Sequence, residues 1–166
     1  SPFTTTLASC GLQSLKNIRI TAHAQDEYNL QSNVFPLVLS APNLTSFAMR
    51  LGPARFGCGR ELCQVLRHCP KLAYFYIDCA GFMGEQIHAR DALTNIINSC
   101  QLTEFHFYSF FDFPTAFAHH LEPERRSKIV KLSFTRADTH RWYEFDQNVH
   151  ALFPNLNYLH YHLQAL

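Results

Sequence analysis

Six times along the chain, an apolar residue is followed by two variable residues, a second apolar residue, one variable residue and a third apolar residue. The phrases are Leu15-Ile18-Ile20, Leu44-Phe47-Met49, Leu72-Phe75-Ile77, Leu102-Phe105-Phe107, Ile129-Leu132-Phe134 and Leu156-Leu159-Tyr161. Their first anchors fall at 15, 44, 72, 102, 129 and 156, so successive phrases lie 29, 28, 30, 27 and 27 residues apart. A period this regular predicts a stack of like units. Each unit of such a stack buries one face against its neighbours, and the stack presents a long surface to partners.

The last two anchors of each phrase flank a residue of the opposite side, as in Phe75-Tyr76-Ile77, which is the period of a strand. The stretch before the phrase has a different period. Val34, Leu37, Val38 and Ala41 fall at i, i+3, i+4 and i+7, as do Leu62, Val65, Leu66 and Cys69, and Leu93, Ile96, Ile97 and Cys100. That spacing makes one apolar stripe on a helix, and Pro42, Pro70 and Pro154 follow three such helices and end them. The predicted unit is helix, tight turn, short strand, loop. Like strands joined each time through a helix must be parallel. At a strand spacing of ~4.8 Å, Phe47, Phe75 and Phe105 should stack as a ladder in the core. Ile18, Leu132 and Leu159 occupy the same register and should be buried with them. The turn-rich Gly52–Gly59, the aromatic Phe110–Pro114 and the charged Glu122–Arg126 read as loops, the last as a solvated corner. The expected fold is one α/β domain over residues 1–166, a curved solenoid of about six helix–strand units with a parallel sheet on its concave face.

Composition narrows the function classes. The 166 residues are 47% apolar and 16% charged, which is globular and not disordered. A formal net charge of +1 argues against a dedicated nucleic-acid surface, which needs clustered Lys and Arg. No apolar run approaches the ~18 residues of a membrane span. Nothing at the start reads as a signal peptide, and Ser1 in place of Met suggests a piece of a longer chain. The last repeat carries no polar capping unit, so the ends are expected to be covered by further chain, a partner or another copy. Of six cysteines, Cys10, Cys69 and Cys100 recur just ahead of repeat anchors, which reads as small buried residues filling one slot in successive units. Reduced thiols and an intracellular location follow. Asn43-Leu44-Thr45 matches a glycosylation acceptor, but Leu44 is a repeat anchor and the match reads as chance.

The L-x-x-L-x-L phrase at this period resembles leucine-rich repeats, in particular the cysteine-containing type of F-box proteins. Glu61-Leu62-Cys63-Gln64-Val65-Leu66-Arg67-His68-Cys69-Pro70-Lys71-Leu72 fits its helix and Cys-Pro-x-Leu signature. Ser99-Cys100-Gln101-Leu102, Ala41-Pro42-Asn43-Leu44 and Phe153-Pro154-Asn155-Leu156 fit it more loosely. The resemblance runs from about Leu7 to Leu163. The Asn or Cys that usually follows the last strand anchor by three residues is replaced by His23, Gly52, Ala80, Phe110, Ala137 and Gln164. Such degeneracy is similar to that of fungal F-box/leucine-rich-repeat proteins. The resemblance implies the substrate-recognition part of an F-box-type ubiquitin ligase subunit, although no F-box is visible in the chain.

Strand alternation selects the side chains of the concave sheet. Across the units these are Asn17, Arg19, Thr21; Ser46, Ala48, Arg50; Tyr74, Tyr76, Asp78; Glu104, His106, Tyr108; Lys131, Ser133, Thr135; and Tyr158, His160, His162. Tyrosine combines apolar area with a hydrogen-bonding tip, which suits interface anchors, although strand propensity alone also enriches it. The candidate protein-binding residues are therefore Tyr74, Tyr76, Asp78, Glu104, His106, Tyr108, Tyr158, His160 and His162. His160 and His162 share one side of a strand, but a metal needs a third ligand and His106 belongs roughly 10 Å away. Cys58, Cys63, His68 and Cys69 lack a paired C-x-x-C spacing. No metal or cofactor is expected. A Cys79–His106 pair, or the His106/His160/His162 cluster, is the competing enzyme reading, set against the absence of any nucleophile elbow or phosphate loop. Asp138–Trp142 is a polar loop around the sole Trp. A sensor or effector module without a ubiquitin link is the third reading. Non-catalytic protein recognition is the expected function.

Overall fold

The computed structural model describes residues 12–21, 27–55, 57–81, 86–108, 118–136 and 142–163. Six strands form one sheet: β1 (Asn17–Thr21), β2 (Ser46–Arg55), β3 (Tyr74–Gly81), β4 (Glu104–Tyr108), β5 (Lys131–Arg136) and β6 (Tyr158–Leu163). They lie side by side in chain order, and every neighbouring pair is parallel. A helix falls between each pair: α1 (Glu27–Leu39), α2 (Gly59–Leu66), α3 (Gln86–Ser99), α4 (Pro123–Lys128) and α5 (Trp142–Leu152).

The register carries the sequence period into space. Ile18 pairs with Phe47, Phe47 with Phe75, Phe75 with Phe105, Phe105 with Leu132, and Leu132 with Leu159. Phe75 stacks on Phe47 at 6.4 Å and on Phe105 at 5.4 Å between ring centroids, with interplanar angles of 24° and 11°. Offset stacking of this kind adds to plain area burial. The first five residues of the row are buried, as expected, whereas Leu159 is only half-buried. It stands on β6, the last strand of the sheet, where only β5 flanks it among the described strands.

The same backbone contact recurs at each step. The carbonyl of the residue after one anchor accepts two N–H groups from the start of the next strand. Lys16 O receives Thr45 and Ser46, Thr45 O receives Ala73 and Tyr74, and Ala73 O receives Thr103 and Glu104. Thr103 O then receives Val130 and Lys131, and Val130 O receives Asn157 and Tyr158, all at 2.8–3.2 Å. The turn before the strand also repeats: Leu15, Leu44, Leu72, Ile129 and Leu156 each donate N–H to the carbonyl three residues earlier. Asn43 Nδ2 donates to Gln13 O at 3.0 Å, and Asn155 Nδ2 to Ser127 O at 2.7 Å, from one position of the repeat to one position of the unit before. The Asn43-Leu44-Thr45 triplet is thus occupied with turn contacts, since Thr45 Oγ1 donates to Lys16 O and Asn43 Oδ1 accepts from Lys71 Nζ.

The helical stripes close one face of the sheet. Val34, Val38 and Ala41, then Leu62, Leu66 and Cys69, then Leu93, Ile96, Ile97 and Cys100 are buried in one cluster with the strand anchors. Cys69 Sγ lies 3.5 Å from Ala41 O, and Cys100 Sγ lies 3.7 Å from Leu66 O, each reaching the unit before. Cys63, Cys69 and Cys100 are free thiols, and Cys10 lies outside the described residues.

Two loop expectations need correction. β2 does not stop at Leu51 but runs to Arg55, with irregular pairing between Arg50 and Gly52 and again before Arg55. Pro53 has no N–H to give a ladder, and bulged pairing is where a strand accepts proline. The charged corner at Glu122–Arg126 is largely helix α4, opened by Pro123, whose fixed φ suits a first helical position. Arg125 does not simply face water: its guanidinium donates to Cys100 O at 3.3 Å. Trp142 opens α5, while Phe110–Pro114 and residues 138–141 lie outside the described residues.

Candidate protein-binding surface

The strand residues that do not enter the core make three cross-strand rows on the other face of the sheet. The first row is Asn17, Ser46, Tyr74, Glu104, Lys131 and Tyr158. The second is Arg19, Ala48, Tyr76, His106, Ser133 and His160. The third runs Thr21, Arg50, Asp78 and Tyr108, with Thr135 and His162 paired on the last two strands. Parallel in-register strands bring residues of one repeat position side by side, so a sequence scattered over 27–30-residue steps becomes a contiguous surface.

The candidate residues of β3, β4 and β6 form a connected set of rings. His106 sits between Tyr74 and Tyr76, at 5.5 and 6.1 Å between centroids. Tyr76 meets Tyr108 at 5.8 Å with a 59° tilt. Tyr108 meets His160 edge-on at 6.3 Å, and its hydroxyl is 3.3 Å from His160 Nδ1. Tyr158 stacks on His160 at 6.4 Å. Six of the nine candidate residues are thus neighbours on β3 and β4, with Tyr158 and His160 joined to them from β6. His162 is placed on β6 opposite Thr135, and its side chain lies outside the described residues.

Charges are interleaved with the rings and mostly paired. Lys131 Nζ lies 3.1 Å from Glu104 Oε1, and Arg50 Nε lies 3.3 Å from Asp78 Oδ2. Both pairs are partly solvated and add little to stability; they set the polarity of the surface. Partial burial, aided by the carboxylate of Glu104, pushes the pKa of the Tyr74 hydroxyl up and disfavours its ionisation. Partial burial, with Asp78 assisting, does the same for Tyr76. Both phenols therefore remain hydrogen-bond donors at neutral pH. His106 is driven the other way. Burial lowers its proton affinity despite the nearby Glu104, whose Oε2 is 3.7 Å from Nε2.

Strand alternation alone places Ser133 and Thr135 on the accessible face, yet both are buried. Ser133 Oγ is 2.7 Å from His106 Nδ1, and β5 carries small side chains between the larger rings of β4 and β6. Tyr108 and His160 reach each other across this low strand and cover it. Ser133 thereby positions His106, a role that a list of large polar side chains overlooks. The signal was the one short residue between two histidines of the same row. Ala48 is likewise nearly buried, and a hollow of ≈ 270 Å³ lies beside it, lined by Arg19, Ile20, Thr21, Ala48, Arg50, Tyr74 and Tyr76.

Other chemistry finds less support in the geometry. Cys79 is buried in the apolar core, on the face of the sheet opposite to His106. Cys63 is buried while His68 is exposed, so the two do not converge. Among the described residues no three His, Cys, Asp or Glu side chains come together as a metal site. None of the described helices is long and apolar enough to cross a membrane. Comparison with protein-family models, with curated proteins and with solved structures found no match to this chain.

Proposed function

We propose that this chain is a non-catalytic, intracellular protein-recognition module built as a leucine-rich-repeat-type solenoid. Its binding surface is the face bearing Tyr74, Tyr76, Asp78, Glu104, His106, Tyr108, Tyr158, His160 and His162. The observation that carries this reading is the ring network from Tyr74 through His106, Tyr76 and Tyr108 to His160. It places amphipathic anchor side chains side by side on a parallel sheet. Such anchors gain contact area at modest entropy cost, because each ring is already held by its neighbours. The repeated carbonyl contact at every step supports a solenoid, in which each unit meets only the units beside it.

The more specific proposal is the substrate-recognition part of an F-box-type ubiquitin ligase subunit, which rests on the cysteine-containing repeat signature at Glu61–Leu72. A competitor experiment tests it. Residues 1–166 produced in excess in cells should occupy the substrates of the intact ligase, so that a small set of proteins becomes less ubiquitylated and decays more slowly after synthesis is blocked. The Tyr76→Ala/Tyr108→Ala variant should be inert in the same assay. Unchanged decay of all proteins with the wild-type competitor contradicts the ligase reading.

A further inference from the structure

The hollow beside Ala48 lies where a small side chain stands between two long ones. Its cross-strand neighbours are Arg19 and Tyr76, both long, whereas Ala48 offers one methyl group. The result is a space of ≈ 270 Å³ walled by Tyr74, Tyr76, Arg19 and Arg50. Pockets that take whole small molecules run to ~300–1,000 Å³, so this one suits a single side chain. Its charge is unbalanced. Arg50 is paired with Asp78, but its side chain is 70% exposed, and a guanidinium carries more donors than one carboxylate uses. Arg19 is exposed and has no ion-pair partner among the described residues. Among the described residues, two cations against one carboxylate leave a single positive charge. The neighbouring Glu104 does not supply the missing anion, since Lys131 already holds it.

We propose that this hollow is a subsite for one carboxylate side chain, Asp or Glu, of the protein segment that lies along the sheet. The proposal rests on the reading of this face as a binding surface and adds the chemistry of its partner. The guanidinium groups of Arg19 and Arg50 bind the carboxylate, the hydroxyls of Tyr74 and Tyr76 donate to it, and the ring faces line its methylene stem. A phosphate, with a charge of −1.5 to −2, would exceed the uncompensated charge and be repelled by Asp78.

The test is selection from a random linear-peptide display library on the full chain. The selected peptides are then synthesised and their affinities measured for the wild type, Arg19→Gln and Tyr76→Ala/Tyr108→Ala. Peptides that lose binding to the Tyr pair should share an Asp or Glu at one position. Replacing that acid by its amide, or Arg19 by Gln, should each weaken binding about tenfold, and the two together little further, because both break the same contact. Arg19 is exposed, so Arg19→Gln should melt with the wild type. Tyr-dependent peptides without a shared acid overturn the subsite while the face reading stands. So does an acid that the amide replaces at no loss, or a phosphoserine at that position that binds tighter than Asp. Selected peptides indifferent to the Tyr pair, or no selected peptide at all, overturn both.

Discussion

Tyr108 and His160 meet over the top of β5. The phenol oxygen is 3.3 Å from the imidazole Nδ1, although 52 residues separate the two in the chain and a whole strand separates them in the sheet. The contact exists because β5 presents Ser133 and Thr135 between them. Replacing Ser133 by Leu should therefore do more than overfill a buried site. It should cost about 1–3 kcal/mol by overpacking and drive the two rings apart. Ser133→Ala should cost only about 0.5–1.5 kcal/mol, through the lost bond to His106 Nδ1. Urea denaturation measures both, and the ring shifts of His160 report the separation. A Leu variant as stable as the wild type with unmoved ring shifts would contradict this packing.

His106 gives the surface a pH dependence of fixed sign. Its folded-state proton affinity is lowered by burial, so the unfolded chain takes up the proton first as pH falls below the ordinary 6.5. The contribution is present above that value and is lost as pH falls through the folded-state value. Melting temperature should accordingly drop on acidification, and His106→Gln should flatten that drop. At the alkaline end the order reverses. Tyr74 and Tyr76 ionise later in the folded state than the ordinary 10.0, so stability is lost as pH rises above 10.0. An acid slope unchanged in His106→Gln would show that another group governs it.

Phe75 is fully buried and stacked on both sides. Truncation to Ala should cost on the order of 3–5 kcal/mol. Leu159→Ala, at the half-buried end of the same row, should cost clearly less. The midpoints of denaturation compare the two directly. Equal losses would mean that the row is not a graded stack with its centre at β3.

The Phe row shows why so much of the fold was legible beforehand. Burial of every second residue leaves a period in the sequence, and a fixed spacing of phrases fixes the register, so Ile18 through Leu132 could be placed without a structure. Strand ends and short helices depend on weaker signals. β2 continues through Gly52 and Pro53 because bulged pairing excuses the missing N–H, and α4 is opened by a proline inside a segment whose charges read as a solvated corner. On the accessible face, the large side chains were legible because alternation alone assigns them. Ser133 was not, because its burial comes from rings that reach over it from other strands. The hollow beside Ala48 was missed for a related reason, since it is made by what a small side chain leaves empty.

The buried thiols should be chemically silent in the native state. Burial pushes Cys69 up to about 11 and, with Cys69 nearby, Cys100 up to about 12; burial raises Cys63 as well. A thiol with little thiolate at neutral pH is a poor nucleophile. An alkylating reagent at neutral pH should leave all three unmodified until the chain is unfolded, as read by mass spectrometry of the individual peptides. Rapid native labelling of any of them, or a disulfide at one of them, would contradict their placement.

The recognition surface is tested most directly by comparing two double variants in quantitative affinity capture. Tyr76→Ala/Tyr108→Ala removes two linked rings of the sheet face. Gln64→Ala/Arg67→Ala alters exposed positions on and just after α2, away from that face. Both variants should melt within a few degrees of the wild type, since neither site is fully buried. Proteins captured by the wild type should be lost with the tyrosine pair and retained with the helix pair. If the helix pair abolishes capture and the tyrosine pair does not, recognition lies on the helical side and the binding surface proposed for this chain is wrong.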